Sequence, residues 1–292
     1  MKRRTFVKNT SFTALGISVF GNISWNGKQF VGDSPTTTDI LGPFYRPGAP
    51  LRDNLVLPGS KGTTLVLKGV IFKEDGKSPV SNALVEIWHC DENQLYDNTS
   101  DKFNYRGGQI TKANGGYKFK TIIPVPYKAD PASESSWRPA HIHMRVSVKG
   151  QQDLVTQIYF KEGKYVDTDK WSSSPGAKNR VLEITNLHGV DEITFNVVLQ
   201  KEYKLSKNYY DKIEGVFDIG NDNKVEFKMN DDLLFTKYNG QLYSSLSYKG
   251  NNKFEGGLED PVVEFILQEK GETTVNIQVD GKLYKGTRVL KY

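Results

Sequence analysis

Short runs of alternating hydrophobic and polar residues recur along the first two thirds of the chain. Alternation with a period of two places one set of side chains in a core and the other toward solvent, which is typical of half-buried β-strands. In chain order, the strand-like runs are 64–72, 83–88, 117–122, 137–145, 154–160 and 192–199. Long loops separate some of them, notably 89–108 and 124–139. About six such strands with long loops predict a β-sandwich.

The pattern changes from about Tyr203 onward. Shorter strand-like pieces now alternate with tight turns such as Asn239-Gly240 and Asp280-Gly281. This part of the chain contains no histidine or cysteine, so it is a poor place for a soft metal site. We therefore predict an all-β protein, with a β-sandwich over residues 31–202 and a separate small β-rich domain of unknown role over residues 203–292.

The amino terminus is basic and is followed by a short apolar run. Paired arginines at 3 and 4, then Phe6 and Lys8, precede apolar residues 12–20. This run is too short to be a permanent membrane span, and the order of features is typical of a twin-arginine export signal. We expect residues 1–30 to be that signal and the protein to be exported, either to the periplasm or to the extracellular space.

Composition and charge exclude several classes of function. The formal net charge is +5, but Lys2, Arg3, Arg4 and Lys8 supply four of the positive charges, so +1 remains without them. Since no RNA-binding motif or basic patch is present, nucleic acid is not expected as a partner. Cys90 is the only cysteine, which excludes an internal disulfide and a cysteine-based zinc cluster. We interpret Cys90 as a small buried hydrophobic residue.

Two of the four histidines lie one residue apart in the strand-like run from Trp137 to Arg145. Alternate side chains of a strand project to the same face, so His141 and His143 can bind one metal ion. Ile142 and Met144 would then face a hydrophobic core. A His-x-His pair alone is also compatible with two ordinary hydrogen-bonded imidazoles.

Several motifs, taken in their order along the chain, resemble the intradiol ring-cleavage dioxygenases, the family of catechol, hydroxyquinol and protocatechuate 3,4-dioxygenases. The resemblance covers residues 36–200, and its motifs are Ile40-Leu41-Gly42-Pro43-Phe44-Tyr45, Ala83-Leu84-Val85-Glu86-Ile87-Trp88, Gly116-Tyr117-Lys118-Phe119-Lys120-Thr121-Ile122, Trp137-Arg138-Pro139-Ala140-His141-Ile142-His143 and Thr156-Gln157-Ile158-Tyr159-Phe160. The resemblance implies a non-haem ferric site, built from two tyrosinates and two histidines on a β-sandwich.

Transferred position by position, the resemblance assigns His141 and His143 as the imidazole ligands of Fe(III). In the family the first tyrosinate lies eight positions after the tryptophan that ends a strand, which here gives Tyr96. The second lies in a proline-rich turn before the histidines, which gives Tyr127, although Val125 stands where the family usually has glycine. Tyr105 lies in the same loop as Tyr96 and is the alternative first ligand.

The resemblance also implies the chemistry. A ferric ion stabilises phenolate at neutral pH, and a catechol would replace Tyr127 on the metal and react with O2. Cleavage between the two hydroxyl-bearing carbons would give a diacid of the cis,cis-muconate type. Arg138 would stabilise charge on the substrate ring, and Gln157 would form hydrogen bonds within the pocket, where Tyr159 could also lie.

Two other classes of function compete with this hypothesis. A zinc hydrolase could use the His-x-His pair, but the sequence offers no convincing third ligand or carboxylate base. A non-catalytic sandwich could instead bind iron–catechol complexes or glycans, and turnover with O2 uptake would distinguish it from an enzyme. The sequence does not identify the catechol, and a homo-oligomer is compatible with it.

Overall fold

The computed structural model describes residues 36–200, 205–230, 233–257, 260–268 and 272–289. Before residue 36 it describes only the backbone of two short antiparallel strands, Ser24–Trp25 (β1) and Phe30–Val31 (β2). The basic and apolar residues that predict the export signal lie outside this part of the chain. None of the described helices is long and apolar enough to cross a membrane.

Twelve strands form the region from residue 64 to residue 198. They are β3 (Thr64–Phe72), β4 (Leu84–Trp88), β5 (Arg106–Ile110), β6 (Gly116–Ile122), β7 (Tyr127–Lys128), β8 (Trp137–Arg138), β9 (His141–Ser147), β10 (Leu154–Phe160), β11 (Val181–Leu182), β12 (Thr185–Leu187), β13 (Val190–Thr194) and β14 (Val197–Val198). Two 3₁₀ helices, Glu134–Ser136 and Pro175–Arg180, lie in the connecting loops.

Two sheets enclose the sandwich core. One has the strand order β11-β10-β9-β4-β5, and in the other β3 pairs with β6, β13 and β14. The hydrophobic residues of both sheets form one buried cluster, which includes Leu67 of β3, Phe119 of β6, and Ile142 and Met144 of β9. The prediction that Ile142 and Met144 face a hydrophobic core is confirmed. Since β9 pairs with β10 on one side and with β4 on the other, its backbone is fixed on both edges.

Two predicted strands are interrupted in the structure. The run 137–145 divides into β8, which pairs with β7, and β9, which starts at His141. The run 192–199 divides at Phe195 and Asn196, between β13 and β14. There the Asn196 side chain accepts a hydrogen bond from Val70 N at 3.0 Å. Gly69 permits this break, since a Cβ there would lie 1.9 Å from Phe195 O.

A closed eight-stranded barrel follows the sandwich. It starts after helix α1 (Lys207–Ile213) and contains β15 (Gly215–Asp218), β16 (Lys224–Asn230), β17 (Leu233–Tyr238), β18 (Gln241–Gly250), β19 (Lys253–Glu255), β20 (Val262–Ile266), β21 (Thr274–Val279) and β22 (Lys282–Arg288). Pairing of β22 with β15 closes it. Phenylalanines at 217, 227, 254 and 265 fill its core. The all-β prediction is confirmed. The short strands predicted after Tyr203 form this closed barrel.

The barrel packs against the sandwich. The ring of Phe235 stacks on that of Tyr45, with 6.0 Å between centroids, and the sandwich residues Leu41, Trp88 and Val155 join them in a small buried cluster. Polar contacts also cross the junction, from Tyr248 N to Gln152 Oε1 at 2.6 Å, from Lys170 Nζ to Asp260 Oδ2 at 3.2 Å and from Lys170 Nζ to Asp280 Oδ1 at 2.9 Å.

Candidate metal centre

The candidate centre lies on the central strand β9. The two neighbouring strands place aromatic and polar residues beside the histidines. His143 is opposite Trp88 of β4 and Gln157 of β10. His141 is opposite Tyr159 of β10. Both histidines are 1% exposed. As predicted, they share one face of the strand, and their Nε2 atoms lie 3.2 Å apart.

Hydrogen bonding and packing fix the two imidazoles. The Nδ1 atom of His141 lies 2.7 Å from Pro139 O, so Nδ1 carries the proton and the Nε2 lone pair faces His143. The ring of His143 stacks on Trp88 at 4.9 Å and 6°. Burial is the largest cause that lowers the pKa of each imidazole well below its ordinary value, and the charge of Arg138 adds to it. Both rings are therefore neutral, the form that binds a metal.

Tyr96 and Tyr127 complete a cluster with the two histidines. Their ring centroids are 5.4 Å apart. Tyr96 lies 6.1 Å from His143, and Tyr127 lies 5.5 Å from His141. The Tyr96 hydroxyl is buried without a hydrogen-bond partner, which is costly unless something binds it. The structure thus brings together all four residues that were predicted to bind iron.

Tyr105, the alternative to Tyr96, does not join this cluster. Its hydroxyl donates to Glu92 Oε2 at 3.0 Å and lies 3.1 Å from Ser60 Oγ. Its ring lies 5.3 Å from that of His89, whose own nitrogens contact Cys90 O and Thr121 Oγ1, both at 2.7 Å. Tyr105 and His89 are therefore fully engaged elsewhere. Cys90 is a buried free thiol, as predicted.

The donor set fits a hard trivalent cation such as Fe(III). Burial raises the pKa of both Tyr96 and Tyr127, so neither phenol ionises by itself at neutral pH. A bound ferric ion would reverse this, because it stabilises phenolate, and phenolate oxygen with neutral imidazole is a set that ferric iron accepts. Across the described residues, no group of three or more His, Cys, Asp or Glu side chains is arranged to hold a metal ion. The phenols are the donors beside the histidines.

Arg138 lies beside this cluster and is rigidly held. Its Nη2 donates to Gln157 Oε1 at 3.0 Å, and its Nε lies 2.7 Å from Asp169 Oδ1. The guanidinium also lies over the Trp171 ring, at 4.3 Å. Burial acts to lower the pKa of Arg138, but its electrostatic interactions with Tyr159 and Asp169 outweigh burial and raise that pKa. A fixed positive charge is thus placed next to Tyr127, its partner in the β7–β8 pair.

A buried polar network extends from Arg138 through β10. The Tyr159 hydroxyl lies 2.9 Å from both Gln157 Oε1 and Asp39 Oδ2, and its single proton is donated to one of these two acceptors. Asp39 forms a buried ion pair with Arg180. Sequence reasoning did not identify Asp39, Asp169 or Arg180 as part of the site. Each stands beside a polar residue in a stretch without regular alternation, so the sequence does not reveal its partner.

Gly42, in one of the matching motifs, also has a structural role at the centre. Its φ is +74°, and a Cβ there would lie 3.0 Å from Cε1 of His143. Any other residue would therefore be strained and would crowd the imidazole. The next turn of chain places Phe44 against the Tyr96 ring, with 4.4 Å between centroids. This motif therefore packs against both His143 and Tyr96.

Comparison with known proteins agrees with this geometry. A family model described as Dioxygenase matches residues 40–201. Catechol 1,2-dioxygenase 2 of Acinetobacter lwoffii is 38% identical over 154 residues, which are 47% of this chain and 55% of that relative. Chlorocatechol 1,2-dioxygenase of Rhodococcus opacus is 32% identical over 190 residues, 56% of this chain and 72% of the relative.

A solved structure is similar as well. The mercury-inhibited catechol 1,2-dioxygenase of Acinetobacter sp. ADP1 has a TM-score of 0.52 at 27% identity, over 71% of this chain and 70% of that one. The family model matches the sandwich, and this chain spans about half the length of the Acinetobacter lwoffii relative. With the family model covering more than half of its residues, the chain belongs to the intradiol ring-cleavage dioxygenase family.

Proposed function

We propose that this protein uses ferric iron to cleave a catecholic ring with O2, between the two hydroxyl-bearing carbons. Balanced for catechol itself, one ring and one O2 give one cis,cis-muconate-type diacid. The observation that carries the proposal is the convergence of Tyr96, Tyr127, His141 and His143 around one buried point, next to the fixed charge of Arg138. The relatives named above act on catechol and chlorocatechol, which supports a catecholic substrate.

The four ligand side chains have separable tasks in this proposal. When bound, ferric iron would supply the Lewis acidity that makes a catecholate ring reactive toward O2. His141 and His143 would hold the metal as neutral donors fixed by Pro139 O and by Trp88. Tyr96, packed against Phe44, would be the permanent phenolate. Tyr127 lies on a strand of only two residues and would take the proton of one substrate hydroxyl and hold it at its Oη.

Arg138 would stabilise the negative charge that develops on the substrate ring. Its guanidinium is held by Asp169, Gln157 and Trp171, so it needs no rearrangement as that charge forms. A fixed charge in a buried site of this kind stabilises a transition state more strongly than it would in water. Gln157 would act by orienting Arg138, since its amide joins the guanidinium to Ile40 O.

The amino-terminal sequence supports a second part of the proposal, namely export by the twin-arginine route. That route carries folded proteins, which suits a metal site filled before export. Fusion of residues 1–30 to a reporter that is active only outside the cytoplasm would test it. Replacement of Arg3 and Arg4 by lysine is expected to abolish export.

Oxygen uptake and product analysis test the proposed reaction. Iron-loaded protein is expected to consume one O2 per catechol and to form a diacid with one labelled oxygen in each carboxyl group when ¹⁸O2 is supplied. Resorcinol is the matched control, because its two hydroxyls are not adjacent, and it should not be consumed. An aldehyde-containing product, or tight catechol binding without O2 uptake, would contradict the proposal, and the latter would favour a binding module.

A further inference from the structure

The barrel contains a cavity that the proposed chemistry does not use. Its volume is about 220 Å³, and it opens at the barrel end that carries the turns at 220–223, 239–240 and 280–281. Strands β16, β17, β18, β20, β21 and β22 all contribute to its wall. It is a feature of the barrel interior and is not a groove between barrel and sandwich.

The inner wall of this cavity is apolar. Its buried side chains include Val225, Phe227, Val263 and Ile277. The polar member of the buried wall, Thr236, uses its hydroxyl within the barrel, where it donates to Ser244 O at 3.2 Å and accepts from Ser244 N at 3.1 Å. The inner part of the cavity therefore favours a ligand that needs no hydrogen bonds there.

Aromatic and polar side chains surround the mouth. Tyr243 is 51% exposed and Tyr238 is 42% exposed, and both line the cavity. The Tyr238 hydroxyl donates to Asn223 Oδ1 at 2.7 Å, which fixes that ring at the rim. Lys237 and Asn221 also line the cavity and offer donors near solvent. The site is thus apolar inside and polar only at its opening, as small-molecule sites in barrel mouths commonly are.

The volume limits the occupant to a small molecule. An apolar protein cavity of about 150 Å³ is large enough to bind benzene. The barrel cavity could hold one such ring with one or two small substituents, but not a drug-sized or polymeric ligand. A sugar of similar size would leave most of its hydroxyls facing apolar side chains, at a large cost.

From these observations we propose that the barrel is a binding domain for a single-ring aromatic compound with a small polar substituent. The ring lies in the apolar interior against Phe227 and Ile277, and the substituent lies at the mouth near Tyr238 and Lys237. This inference rests on the barrel alone and does not depend on the ring-cleavage proposal.

Fluorine NMR on the full chain tests the proposal with 4-fluoroanisole as the probe. This compound has no free hydroxyl, so it cannot bind a ferric centre as a catecholate. The ¹⁹F line of the probe is expected to broaden and shift in proportion to wild-type protein. Val279→Phe, which fills the half-buried part of the cavity, should weaken binding by about tenfold or more, a change of at least ~1.4 kcal/mol.

Two further variants keep the test decisive. Val262→Phe is the matched control, because Val262 is a half-buried strand residue outside the cavity lining and should leave binding unchanged. Tyr243→Ala changes an exposed residue at the rim and should weaken binding by about threefold even if Val279→Phe does not fold. A sharp ¹⁹F line with wild type, equal broadening with all variants, or displacement of the probe by cellobiose would overturn the proposal.

Discussion

The sandwich and the barrel bury very different side chains. Among the described residues, all buried charged side chains belong to the sandwich, namely Asp39, Glu86, Arg106, Arg138, Arg145, Asp153, Asp169 and Arg180. Among the barrel residues that the structure describes, the buried polar side chains are one threonine and three serines, and the core is otherwise apolar and rich in phenylalanine. The sandwich, which carries the candidate centre, thus contains buried charges that are costly to desolvate. The barrel buries almost only apolar side chains, which is the usual composition of a stable core.

The buried charges of the sandwich position side chains of the candidate centre, whereas the apolar core of the barrel serves folding stability. Each buried charge of the sandwich has partners, as in the Asp39–Arg180 pair and the Arg138–Asp169 pair. Such pairs contribute little net stability compared with apolar packing, but removal of one member is strongly destabilising. We infer that they are present because they fix Arg138 and the β10 side chains. In the barrel, a cavity replaces part of the core, and no charge is buried around it in the described residues.

The largest effect should come from breaking a buried ion pair. Asp39→Asn leaves the Arg180 charge, which is 1% exposed, without its carboxylate. We expect a loss of about 3–5 kcal/mol in the free energy of unfolding, measured by urea denaturation. The barrel control is Lys237→Ala, which removes an exposed pair with Glu226 at 3.5 Å and should cost less than about 1 kcal/mol. Equal losses in both variants would remove the contrast between the two regions.

The next effect is a pH dependence that originates in the sandwich. Burial lowers the pKa of His89 to about 4, below the ordinary 6.5. As the pH falls from 6.5 toward 4, the unfolded chain takes up this proton before the folded one does, so stability is full above pH 6.5 and decreases below it. The loss is about 3 kcal/mol. His89→Gln should lack that part of the acid destabilisation in urea titrations at several pH values. Parallel curves for the two proteins would contradict this.

The third prediction is a variant with a lower kcat and an intact metal site. Arg138→Lys keeps the charge but cannot contact Gln157 and Asp169 together. We expect kcat to fall by about 100-fold, equivalent to ~2.7 kcal/mol, while iron content stays unchanged. Arg288→Lys makes the same change in the barrel and should leave kcat as it is. A normal kcat for Arg138→Lys, or loss of its iron, would contradict the role proposed for Arg138.

The smallest effect tests whether the two regions influence each other. Lys170 pairs with two barrel carboxylates and precedes Trp171, on which Arg138 packs. Lys170→Met should cost less than about 1 kcal/mol in stability, because the lysine is exposed. It should lower kcat by about threefold, because Trp171 would be held less firmly and would fix the Arg138 guanidinium less well. Lys161→Met, which removes an exposed pair within the sandwich, is the control. An unchanged kcat for Lys170→Met would mean that the regions act independently.

Much of the sandwich could be predicted from its sequence, because local pattern determines it. Period-two alternation located most strands, including 154–160, which pairs with the histidine strand in the structure. The alternation could not reveal the break at Asn196, because it depends on the approach of Phe195 O to Gly69 on another strand. Nor could it reveal the closed barrel, since closure depends on the pairing of β15 with β22, about seventy residues apart.

Some residues of the candidate centre could likewise be predicted from the sequence, and others could not. The two histidines follow from one short motif, and the spacing from Trp88 selected Tyr96 over Tyr105, whose hydroxyl the structure places on Glu92. The residues that hold Arg138 were not predicted. Asp169 and Trp171 lie in an irregular segment without periodicity, and only the folded chain brings them to the guanidinium. Whether the four clustered side chains bind iron is still a prediction.

The most direct test of that prediction is the visible spectrum of ferric-loaded protein, compared among wild type, Tyr127→Phe and Tyr105→Phe. We expect a tyrosinate-to-iron band in wild type that shifts on anaerobic addition of catechol. The band should lose most of its intensity in Tyr127→Phe and remain intact in Tyr105→Phe, since Tyr127 lies with the histidines and Tyr105 does not. A protein that stays colourless after ferric loading, or a band that depends on Tyr105 and not on Tyr127, would contradict the account.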